Sequence, residues 1–93
     1  MNDTPMPRPK ILAVDDNPAD LIALRHLLAK VEVDLVEARS GKEALVACLE
    51  HSFALILLDV RIPDMDGFEV AHQMGEDSSI RETPIIFVTA AYG

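Results

Sequence analysis

Apolar and polar positions along the chain fall into short blocks with two alternating periods. Lys10-Ile11-Leu12-Ala13-Val14 is a brief apolar run that ends in Asp15-Asp16-Asn17. Phe53-Ala54-Leu55-Ile56-Leu57-Leu58 is unbroken and ends in Asp59. Pro84-Ile85-Ile86-Phe87-Val88 ends in Thr89-Ala90. Runs this short cannot span a bilayer, which needs about 20 apolar residues. Their length and Ile/Leu/Val/Phe content predict strands, the Phe53 run buried on both faces of a parallel sheet. Val31 to Glu37 alternates only in part and predicts a short strand near a sheet edge.

Between these runs the period becomes helical. Leu21, Leu24, Leu27 and Leu28 predict a helix from Pro18 to Lys30, with Asn17 as cap and Pro18 at its first position. Ser40 with Glu43 three residues on is a capping box, opening a helix from Gly41 to about His51. Its expected inward positions are Ala44, Leu45, Cys48 and Leu49. Asp66 can cap a helix from Gly67 to about Met74, and Glu69 in its first turn suits the positive end of the helix dipole. Gly75 to Thr83 reads as a loop. The order β-α-β-α-β-α-β implies right-handed crossovers and a parallel sheet.

Composition narrows this picture. Ninety-three residues suffice for one small domain, and 49% hydrophobic content excludes a disordered tail. Residues 1–9 carry three prolines and read as a flexible lead-in before a domain over 10–93. A net charge of −8 argues against direct nucleic-acid binding, because phosphate contacts need a basic face. No apolar h-region of a signal peptide precedes Lys10, and Cys48 is the single cysteine. Both favour a reducing, cytoplasmic setting with no membrane association. Cys48 reads as a small packed residue, and His26, His51 and His72 as solvated helix residues. Met65 and Met74 read as packing, and Gly67 as a turn residue rather than a phosphate binder.

The candidate chemistry lies where strands end. Asp15, Asp16, Asp59 and Thr89 should share the carboxyl edge of the sheet, which is where ligands bind in open α/β folds. Crowded carboxylates repel, and a divalent cation relieves them. Mg²⁺ takes one or two carboxylates, keeps waters and completes its shell with phosphate oxygens. A carboxylate can also act as nucleophile and form an acyl phosphate. Thr89 can donate a hydrogen bond to such a phosphoryl group.

These residues resemble the receiver domain of two-component response regulators. The resemblance rests on Asp15-Asp16, Asn17-Pro18, Asp59, Pro63-Asp64-Met65-Asp66-Gly67 and Thr89-Ala90, in that order, and covers Lys10 to Ala90. It implies a flavodoxin-like doubly wound sheet, with strand order 2-1-3-4 over the residues present. It implies that Asp59 accepts a phosphoryl group from a histidine kinase or phosphotransfer protein. Asp16, Asp59 and the backbone carbonyl of Arg61 would hold Mg²⁺, with Asp15 acting largely through water. Thr89 would contact the phosphoryl group and switch, and Ala90 would leave space beside it.

The chain also departs from the family. Members continue with a fourth helix, a fifth strand and a fifth helix, and a Lys-Pro after the fifth strand pairs with the phosphoryl group. This chain has only Lys10, Lys30 and Lys42, so that lysine has no counterpart. The expectation is a C-terminally incomplete receiver whose exposed fourth-strand edge can pair with a second copy. Two other readings are a receiver-like interaction module that is not phosphorylated, and an Asp-nucleophile phosphatase of the haloacid dehalogenase type. The latter family needs Asp-x-Asp after its first strand, and Asp15-Asp16-Asn17 fails that pattern. A calcium loop of the EF-hand type fails too, because Asp20 stands where that loop needs glycine and Pro18 occupies its fourth place.

Overall fold

The computed structural model describes residues 8–62, 64, 66–77 and 80–88. Seven elements alternate: β1 (Lys10–Val14), α1 (Pro18–Leu27), β2 (Asp34–Ala38), α2 (Gly41–Glu50), β3 (Leu55–Asp59), α3 (Gly67–Glu76) and β4 (Ile85–Val88). The strands form one parallel sheet in the order β2-β1-β3-β4. This is the flavodoxin-like α/β arrangement that the apolar runs and the family resemblance imply.

One face of the sheet carries the core. Leu12 and Val14 of β1 and Ile56 and Leu58 of β3 are fully buried. They pack with Ala44, Ala47 and Cys48 of α2 and Val70 and Met74 of α3. The alternation of β3, with Ile56 and Leu58 inward, gives this face its strand period of two. On the opposite face α1 seats Leu21 beside Ala13, both buried. Leu57 on that face is only half-buried, so the expected burial of this run on both faces is complete on the α2–α3 side and partial on the α1 side. The reason is coverage: α1 alone lies there among the described residues. It leaves a groove of about 280 Å³ lined by Leu21, Leu24, Leu27, Leu57 and Val88.

Helix ends follow their capping residues. Asn17 Oδ1 accepts from the Ala19 amide at 2.9 Å, Ser40 Oγ from Glu43 at 3.1 Å, and Asp66 Oδ1 from Phe68 at 2.7 Å. In the Ser40–Glu43 box the glutamate reaches the amide of Arg39 at 3.5 Å rather than that of the cap residue.

Several boundaries and one helix's inward face differ from the sequence reading. Helix α1 stops at Leu27 rather than Lys30, and Leu27 faces solvent. β2 begins at Asp34 rather than Val31, because Val31 and Val33 turn on local bonds to Leu28 and Val31 carbonyls. Helix α3 continues through Gly75 to Glu76, since burial of Met74 outweighs one glycine's weak helix propensity. In α2, Ala47 is buried and Leu49 is 76% exposed, so the inward stripe is Ala44, Ala47 and Cys48, with Leu45 half-buried.

Candidate functional site

Register brings the acidic residues together. Val14 pairs with Leu58 in the parallel β1–β3 ladder, so the next residues, Asp15 and Asp59, leave the sheet side by side. Asp16 follows in the segment leading to α1. One carboxylate oxygen from each of Asp15, Asp16 and Asp59 lies within 4.8 Å of the others. Asp15 and Asp59 are half-buried and Asp16 is exposed.

Local bonds aim these side chains. Asp15 Oδ1 accepts from the Asn17 amide at 2.9 Å, while Asn17 itself caps α1. Asp59 Oδ1 accepts from the Arg61 amide at 3.0 Å, which holds the Arg61 backbone beside the carboxylate. The described residues around the segment between β3 and α3 are drawn back against β3. Arg61 forms an antiparallel bridge with Asp66, and the Gly67 amide donates to the Val60 carbonyl at 3.2 Å. A Cβ on Gly67 would meet the Asp59 carbonyl oxygen at 2.6 Å and Val60 Cα at 2.7 Å. Only glycine lets α3 start this close to the backbone that carries Asp59.

Electrostatics mark the cluster as strained. Burial pushes Asp15 up to about 6, and the charges of Asp59 and Asp20 push the same way against the lowering bond from Asn17. Asp20, in the first turn of α1, was not singled out by the sequence reading as part of the site. Its signal was its position in the first turn of α1, six residues past the end of β1. Three hard oxygen donors of like charge converging at a sheet edge suit a hard divalent cation.

Two further residues frame the cluster. Arg39 Nη2 donates to the Asp16 carbonyl at 3.5 Å. Asp64, read from sequence as turn chemistry, accepts from the amides of Gly41 at 2.8 Å and Lys42 at 3.1 Å. Thr89 and Ala90, expected at the end of β4, lie outside the described residues, as do Pro63 and Met65.

A family model for the response regulator receiver domain matches residues 11–93. The chain belongs to this family. As a receiver domain it is a module of two-component signalling. It is 35% identical over 80 residues to the polar-differentiation response regulator DivK of Brucella ovis, covering 86% of this chain and 65% of that protein. The chain thus spans a little under two thirds of the length of the first curated relatives it matches. Among solved structures it resembles the chemotaxis response regulator CheY4 of Vibrio cholerae, with a TM-score of 0.86 and 31% identity over 94% of this chain and 72% of that one. It also resembles the response regulator TrrA of Thermotoga maritima in complex with Mg²⁺-BeF, with a TM-score of 0.81 and 30% identity over 89% of this chain and 70% of that one. Among the described residues of this receiver, no helix is long and apolar enough to cross a membrane.

Proposed function

We propose that this receiver domain accepts a phosphoryl group on Asp59 from a histidine kinase or phosphotransfer protein, in the cytoplasm and with Mg²⁺. The observation that carries the reading is the convergence of Asp15, Asp16 and Asp59 at the carboxyl edge of the sheet. An Asp59 oxygen attacks phosphorus, and the P–N bond of phosphohistidine breaks. The bonding electrons leave with the imidazole, which takes up a proton from solvent. An acyl phosphate remains on Asp59.

Asp16, Asp59 and the Arg61 carbonyl would hold Mg²⁺ directly, with Asp15 acting through water. Bound there, Mg²⁺ supplies charge neutralisation for the carboxylates and the transferring oxygens. TrrA, a relative of this fold, was solved with Mg²⁺-BeF. The Asn17 and Arg61 amides hold one oxygen each of Asp15 and Asp59. Thr89 is the hydroxyl assigned to the phosphoryl group and the conformational response.

The same reading includes self-association. β4 is an edge strand among the described residues, and Ile86, Phe87 and Val88 are 51%, 38% and 43% exposed. An apolar edge of this kind is a template for a second strand, here that of a second copy.

Transfer from a radiolabelled phosphohistidine donor protein tests the function. Wild-type chain gains the label and Asp59→Asn does not. Equal labelling of both removes Asp59 from the reaction. A wild-type chain that takes no label from any donor favours a receiver fold used purely for protein interaction.

A further inference from the structure

The first turn of α2 and Arg39, just before its cap, contact the two segments that carry the acidic cluster. Asp64 comes from the segment after β3, far from α2 in sequence. Its carboxylate spans the first two amides of α2, Gly41 at 2.8 Å and Lys42 at 3.1 Å. Ser40 already serves the third amide, of Glu43. The helix therefore receives a second, tertiary cap, and its free amides and positive dipole end hold the carboxylate in return. These two amides keep the Asp64 carboxyl below the usual carboxylate range. Immediately before the helix, Arg39 reaches the Asp16 carbonyl on the other segment through a longer contact of 3.5 Å.

We propose that Asp64 is a positioning residue for the candidate site. By binding the first turn of α2 it fixes the segment of Val60, Arg61 and Ile62, and thus the Arg61 backbone, against the cluster. Arg39 makes the matching tie to Asp16. Helix α2 touches no candidate ligand, yet its first turn, together with Arg39 before its cap, sets the spacing between Asp16 on one side and Asp59 with Arg61 on the other. The inference extends the metal reading above and rests on it only for its metal arm.

The fixed end of the segment explains why one carboxylate suffices. Gly67 seats α3 against Asp59 and Val60 in contact too close for a Cβ, so that end cannot slide. Asp64 is the described tie at the outer end. Without it, residues 60–62 keep the Arg61–Asp66 bridge, the bond from the Gly67 amide to the Val60 carbonyl, the exposed bond from the Arg61 amide to Asp59 and the burial of Ile62 in the core, so the freedom gained falls mainly on Arg61.

The test compares Asp64→Ala with Ser40→Ala in the full chain. Both remove a cap from α2, and only the first frees the segment. Two quantities are read: ¹⁵N order parameters of residues 60–62 without metal, and Mg²⁺ affinity by titration. Asp64→Ala should lower the Arg61 order parameter clearly below the rigid-backbone value of about 0.85, with core-buried Ile62 changing least. It should weaken Mg²⁺ about tenfold, the usual effect of losing a partner that orients a ligand. Ser40→Ala should lower Tm and change neither. Asp64→Asn keeps one acceptor oxygen, should fall between, and serves if the alanine form does not fold. Unchanged order parameters in the Asp64 variants, or an equal loss in Ser40→Ala, overturn the proposal. If wild type binds no Mg²⁺, the metal reading fails, and the metal-free order parameters still decide the role of Asp64.

Discussion

At the scale of single residues, two glycines of α3 make a sharp contrast. Gly67 abuts the Asp59 and Val60 backbone, where nothing can give way, and Gly75 has nothing within 4 Å of a built Cβ. Gly67→Ala should cost about 1–3 kcal/mol through overpacking and displace Asp59. Gly75→Ala should be neutral or stabilise by up to about 1 kcal/mol through helix propensity. Chemical denaturation of the two variants checks both signs. Equal midpoints would show that α3 does not press on the strand end.

Asp15 carries the pH prediction for the metal-free chain. Its pKa rises from 3.8 unfolded to about 6 folded, burial being the largest cause. Between these values the folded chain binds more protons than the unfolded chain, so stability falls as pH rises through this window. Above about pH 6 that loss is complete. Glu37, lowered by its hydrogen bond to Arg25, has the opposite sign: its contribution is present above the unfolded pKa of 4.5 and is lost as pH falls through the lower folded value. Thermal melts in chelator across pH 4 to 7 should show the Asp15 slope, and Asp15→Asn should flatten it. Added Mg²⁺ should raise Tm, and the rise should vanish in Asp16→Ala. A flat melt profile, or equal stabilisation of Asp16→Ala, would count against a strained acidic cluster that holds a cation.

At the scale of elements, what was legible and what was not divide by range of interaction. Strands ending in Asp15-Asp16 and Asp59 were readable because apolar runs and caps are local. So were Asn17, Ser40 and Asp66, each of which serves an amide two or three residues away. The true start of β2 was not readable. It depends on pairing of Asp34 with Lys10, a partner remote in the chain, while Val31 and Val33 look like strand residues. The place of Leu27 and Leu49 was hidden for the same reason: helical spacing marks a stripe without saying how far the neighbouring element reaches. Asp64 was the largest omission. Its partners are Gly41 and Lys42, and only the folded chain brings that carboxylate to another helix. Among caps, Asn17→Ala should lower stability by about 1 kcal/mol. It leaves the amide tie between Asn17 and Asp15 in place, so Mg²⁺ affinity should change little.

For the whole molecule, the described residues cover the sheet well on one face and sparingly on the other. Leu12, Val14, Ile56 and Leu58 are sealed by α2 and α3, while Leu57 and Val88 border the groove beside α1. Phe87 leans on Phe68 of α3, ring centroids 4.7 Å apart, and both rings remain partly exposed. A chain with this edge should self-associate at micromolar concentration, and light scattering should give at least a dimer mass. Ile86→Lys, a charge on the edge strand, should return it to monomer, since charged edges resist pairing. A wild-type monomer over the same range would remove the β4 edge as an interface.

The most direct test of the central claim is the site of phosphorylation. Incubated with acetyl phosphate and Mg²⁺, the chain should gain one phosphoryl group in its intact mass. Hydroxylamine should remove it, as it removes acyl phosphates, and peptide mapping should place it at Asp59. The gain should disappear in chelator and in Asp59→Asn. A wild-type chain that stays unmodified with Mg²⁺ present, or an Asp59→Asn chain modified at the wild-type rate, would contradict the account.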